Sequence, residues 1–245
     1  MAHLTVRIKA RHSYAQPWLI AIAEGLNRHG VEILAGDGPC DLYVIWSHNE
    51  HRIIAQQRAA GADYLVAECG YIDRFNHASL GFNGLNGLAE FHNSNVPDDR
   101  AQQWQQLLQP LHGGDYTLIV GQCPGDASLR GLNITEWANN TANIYGGTVY
   151  YRPHPLAPTA IVNAPTLNGS LDSALAGAHT VAVYNSNVAV DAILHGCGVD
   201  HYDRGSMGWG MTDRKEWLRK LAYCQWSLTE IAAGEAWAHL NQRYA

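Results

Sequence analysis

Apolar and polar positions alternate over residues 4–9 (LTVRIK), the period-2 pattern of a half-buried strand. A polar break at Arg11, His12 and Ser13 follows, with Ser13 placed to cap a helix over residues 14–29. Pro17 sits early in that helix and Gly30 just past its end, the usual asymmetry of helix termini. Residues 31–36 (VEILAG) and 41–47 (DLYVIWS) read as two more strands, the second apolar enough to lie mid-sheet. Ser47 or Asn49 caps a helix that runs to Ala60 and stops at Gly61, and residues 63–69 (DYLVAEC) form a fourth strand. The order β-α-β-β-α-β predicts a Rossmann-like α/β domain with working loops at the carboxyl ends of its strands.

Periodicity then fails from Gly70 to Val96, a Gly- and Asn-rich run too long for a simple connection and so a candidate functional segment. Residues 98–108 read as a short amphipathic helix, and Pro110, Gly113 and Gly114 mark a domain boundary. A second α/β series begins with a strand from Thr117, ending in a Gly/Pro loop (GQCPGDAS, residues 121–128). A helix over 134–144, a strand from Thr148 ending in YRPHP and a short helix over 171–176 follow. A strand from His179 runs into a helix over 187–195 that Gly196 stops; residues 200–212 read as loop and 213–240 as one long closing helix. The expected architecture is two facing Rossmann-like domains, residues 1–112 and 113–245, with a closing C-terminal helix.

Of 245 residues, 47% are hydrophobic and 16% charged, enough for two cores and against a disordered chain. The net charge of -6 excludes a globally basic nucleic-acid coat, although Arg11, Arg52, Arg58 and Arg74 can make a local basic rim. No apolar run approaches the length of a membrane span, and no basic-apolar-small leader pattern opens the chain, so a cytoplasmic location is expected. Five scattered cysteines without a CxxC pair read as reduced, and no two of them have zinc-ligand spacing, so no metal site is expected.

Three segments carry candidate chemistry. In AVYNSNVAVDAILHG (residues 182–196) an apolar strand turns directly into a helix; free amides at a helix start, aided by the dipole, attract phosphate. Tyr184, Asn185, Ser186 and Asn187 form the turn, and Asp191, one turn on, is placed for a ribose hydroxyl. The same spacing describes an ordinary capped helix behind a core strand. In YRPHP, Arg152 can grip a phosphate with two hydrogen bonds and His154 can donate one, on a loop stiffened by prolines; a rigid strand-ending turn is the plain alternative. Gln122 and Asp126 sit in the third segment, which is otherwise a simple turn. In the first half, Glu68 ends a strand and can act as a general base, with Asp73 in reserve; a solvated strand-end carboxylate and, for Asp73 with Arg74, a surface ion pair are the alternatives. The chain has no GxxxxGK[ST], GxGxxG or GxSxG.

The order GQ-x3-D, RPHP, SLDSALAGAHTVAVYNSNVAVDAILHG and CQWSLTEIAAGEAW resembles the capsule-polysaccharide glycosyltransferases, a GT-B-like group that includes Kdo transferases. The segment VAECGYIDR is similar to that group's E-x-G loop. The resemblance spans about residues 63–240 and implies a metal-independent sugar transferase with no prosthetic group. It implies that Gln122, Asp126, Arg152, His154, Asn185, Ser186 and Asp191 surround a nucleotide-sugar, expected to be a UDP-sugar, with His154 also catalytic. It places Glu68 near the acceptor. Asn187 and Asp191 depart from the group's usual Thr or small residue and Glu. The small size also resembles bacteriophage DNA-modifying glycosyltransferases, which implies an acceptor such as 5-hydroxymethylcytosine in DNA and a host cytoplasm. By position in the chain, Arg11 in the basic rim, His12 and Ser13 after the first strand, and Arg74 beyond Glu68 are the candidate acceptor contacts. The other acceptor weighed is a surface polysaccharide, and the non-enzymatic alternative is a nucleotide-sugar-binding module.

Overall fold

In the computed structural model, which describes residues 4–9 and 13–244, the chain forms two compact units. One runs to Ala101 and resumes at Arg219; the other is Gln102–Leu218. Arg11 and His12 lie outside the described residues.

The first unit carries strands β1 (Thr5–Lys9), β2 (Glu32–Ile33), β3 (Leu42–Trp46), β4 (Asp63–Cys69) and β5 (His77–Phe82), with helices α1 (Gln16–Arg28) and α2 (His51–Ala60). Strands β2, β1, β3 and β4 pair in parallel in that order, as a Rossmann-like half requires. Apolar side chains on both faces of β3 and β4 explain their unbroken hydrophobic runs. Leu42, Val44, Trp46 and Leu65 pack on one side with α1, and Tyr43, Ile45, Tyr64 and Val66 on the other with Ile53 and Ile54 of α2. Ser13 does not cap α1: it lies in a 3-10 turn, Ser13–Ala15, and Ala15 is the N-cap. Neither Ser47 nor Asn49 caps α2, whose N-cap is Glu50; Gly61 ends it in the left-handed conformation.

Two features of this unit escaped the hydrophobic pattern. The Gly/Asn-rich run contains β5, antiparallel to β4. The long closing helix does not exist: it is broken into α6 (Arg214–Ala222), strand β10 (Gln225–Ser227), α7 (Leu228–Ala233) and α8 (Glu235–Leu240), with β10 antiparallel to β5 at the sheet edge. Ser227 and Glu230 form a reciprocal capping box that starts α7 afresh, and Gly234, with positive φ, separates α7 from α8. The returning segment is anchored by Arg100, which pairs with Glu230, donates to the Gln225 carbonyl at 2.9 Å and lies 3.8 Å over the Trp226 ring. α7 crosses α1 at Gly25, and Arg28 donates to the Ala232 carbonyl at 2.8 Å. These contacts put residues 219–244 in the first unit, not in the second where the sequence reading placed them.

The second unit is a four-stranded parallel sheet among the described residues, ordered β7 (Val149–Arg152), β6 (Tyr116–Val120), β8 (Ala178–Val183) and β9 (Gly198–His201). Helices α4 (Leu171–Ala176) and α5 (Val188–His195) cover one face over Leu118, Val120, Val181 and Val183; α3 (Ile134–Ala142) covers the other over Ile119, Tyr151 and Ala182. β9 falls partly where a loop was expected. The stretch expected as an amphipathic helix is a 3-10 helix, Asp99–Leu107, in which Ala101 and Trp104 are buried three residues apart, the period of a three-residue turn.

Candidate functional site

The carboxyl ends of β6, β8 and β9 are tied together by one buried polar network. Gln122, just past β6, donates from Nε2 to Asn185 Oδ1 at 2.9 Å, and the Asn185 amide N–H returns to Gln122 Oε1 at 3.3 Å. Asn185 Nδ2 donates to the Ser128 carbonyl at 2.8 Å and to Asp203 Oδ1 at 3.1 Å. Asp126 caps the short turn Ala127–Leu129, accepting from the Ser128 N–H at 2.8 Å and its hydroxyl at 2.7 Å. Asp203 also accepts from the Gly205 amide and pairs with Arg130; burial opposes its charge, but Arg130, Asn185 and Gly205 together hold its carboxyl below the usual range. Asn185 is 2% exposed and Gln122 8%. These two amides thus fix the loops in place with their side chains turned inward.

Arg152 and His154 stand at the end of β7. Because β6 lies between β7 and β8, they are two strand spacings, about 10 Å, from the β8 turn. Arg152 is half-buried, and its guanidinium has no hydrogen-bonding or ionic partner among the described residues. His154 Nδ1 accepts from the Leu156 N–H at 3.2 Å and lies 3.1 Å from Cys123 Sγ. The neutral imidazole therefore carries its proton on Nε2, and burial, then Asp126, push the Cys123 thiol up and keep it protonated. The loop from Gly121 to Ser128 thus links β7, through Cys123, to β8, through Gln122 and Ser128.

The turn opening α5 is partly self-satisfied. Ser186 Oγ accepts from the Val188 N–H at 3.3 Å and the Ser186 carbonyl from Ala189 at 3.0 Å, so fewer amides are left for an anion than the sequence pattern implied. Asn187 is the N-cap residue, in right-handed helical conformation and without a side-chain cap bond. Tyr184 meets Trp137 edge to face at 5.9 Å, and Trp137 meets Tyr202 at 5.4 Å, an aromatic wall beside the network. Asp191 is not part of this assembly: it lines an open groove of about 620 Å³ with Asp172, His112 and His195.

In the first unit, Glu68 is the penultimate residue of β4, with Oε1 accepting the Cys69 N–H at 3.1 Å. Burial, then Glu68, push the Cys69 thiol up. Gln225, fully buried on β10, holds the following loop by accepting from the Tyr71 and Ile72 amides at 2.6 and 2.9 Å and donating to the Ile72 carbonyl at 3.0 Å. Asp73, at positive φ, accepts from the Asn76 amide at 2.9 and 3.1 Å, and Arg74 Nε donates to the Tyr71 carbonyl at 3.4 Å. Ser13 is exposed.

Sequence reasoning missed Arg130, Asp203 and Gln225, whose side chains each bond to partners far along the chain. It also missed a group of potential metal ligands, His112, His195 and Cys197, whose donor atoms lie within 4.8 Å of one another. A search for paired cysteines passes over a donor set with a single thiol.

These features define the second unit as a Rossmann-like parallel α/β unit whose polar loops gather at the strand ends. No protein-family model and no curated protein matches the chain. Two solved structures share its fold. One is Thermosulfurimonas dismutans KpsC, beta Kdo 2,4 transferase, at 14% identity and TM-score 0.60, with 91% of each chain covered. The other is the beta Kdo 2,7 transferase of the same protein, at 15% identity and TM-score 0.60, covering 96% of this chain and 99% of that one. Among the described residues no helix is long and apolar enough to cross a membrane.

Proposed function

We propose that the chain is a glycosyltransferase that moves a sugar from a nucleotide-sugar to an acceptor hydroxyl. The observation that carries this reading is the Arg152 guanidinium, unpartnered among the described residues, beside a His154 whose proton is held on Nε2, at the carboxyl end of a parallel sheet. The guanidinium and the Nε2–H both offer donors, and the His154 ring is held at Nδ1 by the Leu156 N–H and Cys123. This is a preorganised receptor for the diphosphate that departs when the glycosidic bond breaks. The shared fold with two Kdo transferases supports the same class.

Glu68 is the proposed base for the acceptor proton, giving inversion at the anomeric carbon. Asp73, with its carboxylate held by Asn76, is the weaker candidate. Gln122, Asp126 and Asn185 act as positioning residues rather than direct donor contacts. Of the two acceptors, a glycan is favoured over hydroxymethylated DNA. Arg58, one member of the expected basic rim, donates to Tyr64 Oη at 2.8 Å and lies 5.6 Å over its ring, which occupies it.

A thermal-shift screen with UDP-, GDP-, CMP- and dTDP-sugars tests the donor site; a ligand at about 100 times its Kd adds ~2.7 kcal/mol of stability. Transfer is then assayed with the stabilising donor on glycan and hydroxymethylated-DNA acceptors. Steep loss of activity with salt marks the DNA acceptor. Stabilisation without transfer to any hydroxylated acceptor overturns the enzyme reading in favour of a binding module, and no stabilisation by any donor overturns both.

A further inference from the structure

Gly196 ends α5, and the chain segment before β6 is folded back onto that helix end. The His112 N–H donates to the Gly196 carbonyl at 3.1 Å and the Gln109 N–H to Leu194 at 2.8 Å, while Arg214 donates to the Ile193 carbonyl. The approach is so close that a Cβ on Gly196, at φ +91°, would stand 2.1 Å from the Pro110 carbonyl oxygen. This contact brings His112, His195 and Cys197 together at the amino-terminal edge of the sheet, the end opposite the candidate donor loops.

His112 is presented as a ligand, while the Cys197 thiol donates to the Leu175 carbonyl at 3.3 Å and would give up that proton on ligating a metal. His112 Nδ1 lies 2.7 Å from the Gly113 carbonyl, which can only accept, so His112 Nε2 carries a lone pair. That Nε2 is 3.3 Å from His195 Nδ1 and 3.7 Å from Cys197 Sγ. Tetrahedral zinc with bonds of about 2.0–2.1 Å to nitrogen and 2.3 Å to sulfur has ligand-ligand edges of about 3.3 Å (N–N) and 3.6 Å (N–S). The two edges from His112 Nε2 therefore match a metal's coordination edges, and all three donor atoms lie within 4.8 Å of one another. The Gly113 carbonyl acts as the outer partner that fixes a ligating imidazole, and the groove shared with Asp172 and Asp191 lies against both histidines, leaving a fourth position for water.

We propose that His112, His195 and Cys197 bind one zinc ion, which clamps the segment before β6 to the carboxyl end of α5. Two imidazoles and a thiolate suit zinc or copper rather than magnesium or calcium. The site lies at the amino-terminal edge of the sheet, away from the candidate donor loops, so the inference does not depend on the sugar-transfer reading.

The test uses the whole protein, stripped with a chelator and then titrated with zinc alone against a chromophoric competitor. One equivalent is expected, with a rise in melting temperature. His112→Ala and Cys197→Ser should each weaken binding by about 100-fold or more, beyond the usual effect of losing an outer partner. His51→Ala, on an exposed position of α2, should leave it unchanged. Cobalt in place of zinc should give a thiolate-to-metal charge-transfer band that disappears in Cys197→Ser. The wild-type cobalt spectrum decides even where a variant fails to fold. No charge-transfer band at saturating cobalt, or zinc uptake that survives loss of both His112 and Cys197, overturns the proposal.

Discussion

The amide of Asn185 is the most connected side chain in the candidate donor site, and replacing it tests whether the network holds the loops. In Asn185→Ala the Ser128 carbonyl loses the donor now at 2.8 Å, and Gln122 Nε2 loses the acceptor at 2.9 Å but keeps Ser128 Oγ at 3.2 Å. Asp203 keeps Arg130 and the Gly205 amide. One buried carbonyl is stranded and one amide half-stranded, at about 1–3 kcal/mol for a full loss, so the expected destabilisation is ~3 kcal/mol. Asn185→Asp keeps the shape but sets a second carboxylate near 3.1 Å from Asp203 Oδ1. At an effective dielectric near 20 the repulsion at that distance is about 5 kcal/mol, which raises the pKa of the new carboxyl in the folded state. The folded state then binds more protons than the unfolded one, so stability falls as pH rises through the interval between the two pKa values. Urea unfolding of wild type and both variants between about pH 4 and pH 7.5 should show Asn185→Ala offset by a constant amount. Asn185→Asp should be close to wild type at the acid end and worst at the neutral end. Equal curves for the two variants, or a loss under ~0.5 kcal/mol in Asn185→Ala, would refute the reasoning.

Three further outcomes follow from other parts of the molecule. Gly25→Ala gains about 1 kcal/mol of helix propensity, yet its Cβ would stand 2.2 Å from the Ile231 carbonyl oxygen, so α7 must shift. A net loss of at least ~1–3 kcal/mol is expected in thermal unfolding, and a stabilised variant would show that the crossing is looser. Burial opposes the Asp63 charge, but Arg243, Asn83 and Tyr244 outweigh it and lower its pKa, so its contribution is present above roughly pH 3.9 and is lost as pH falls through the folded-state value. Asp63→Asn should be less stable than wild type at neutral pH, with the difference closing in acid, and a gap that widens in acid contradicts the assignment. Arg152→Ala should weaken donor binding about 10–100-fold, the worth of one charge-assisted hydrogen bond, with unfolding unchanged within ~0.5 kcal/mol; calorimetry with the stabilising donor measures it.

Elements with a continuous apolar run or a clear cap and stop were legible in the chain. β4 and α4 fall on the expected residues, and the stops at Gly61 and Gly196 are both left-handed caps. β5 was not legible, because His77, Ser79 and Gly81 break its apolar pattern, although all six of its residues are buried in the fold. β10 was hidden for the opposite reason: helical spacing continues through Trp217, Leu221 and Cys224 into it, and only pairing with β5, far away in the chain, decides for a strand. The Ser227–Glu230 capping box was the one local sign that the helix restarts.

The candidate site shows the same divide between residue type and residue role. Composition marks Gln122, Asp126, Arg152, His154 and Asn185 as polar groups after strands, and the structure places all five at strand ends. Their division of labour depends on the order β7-β6-β8, which no local pattern encodes. That order sets the β6 loop between its two neighbours, so Gln122 and Asp126 bond within the network while Arg152, on the outer strand, stays unpartnered among the described residues. An arginine without a counter-ion among the described residues adds little to folding stability. Under the proposed function a diphosphate would supply that anion, so the Arg152 guanidinium, and not the α5 turn, carries the proposal.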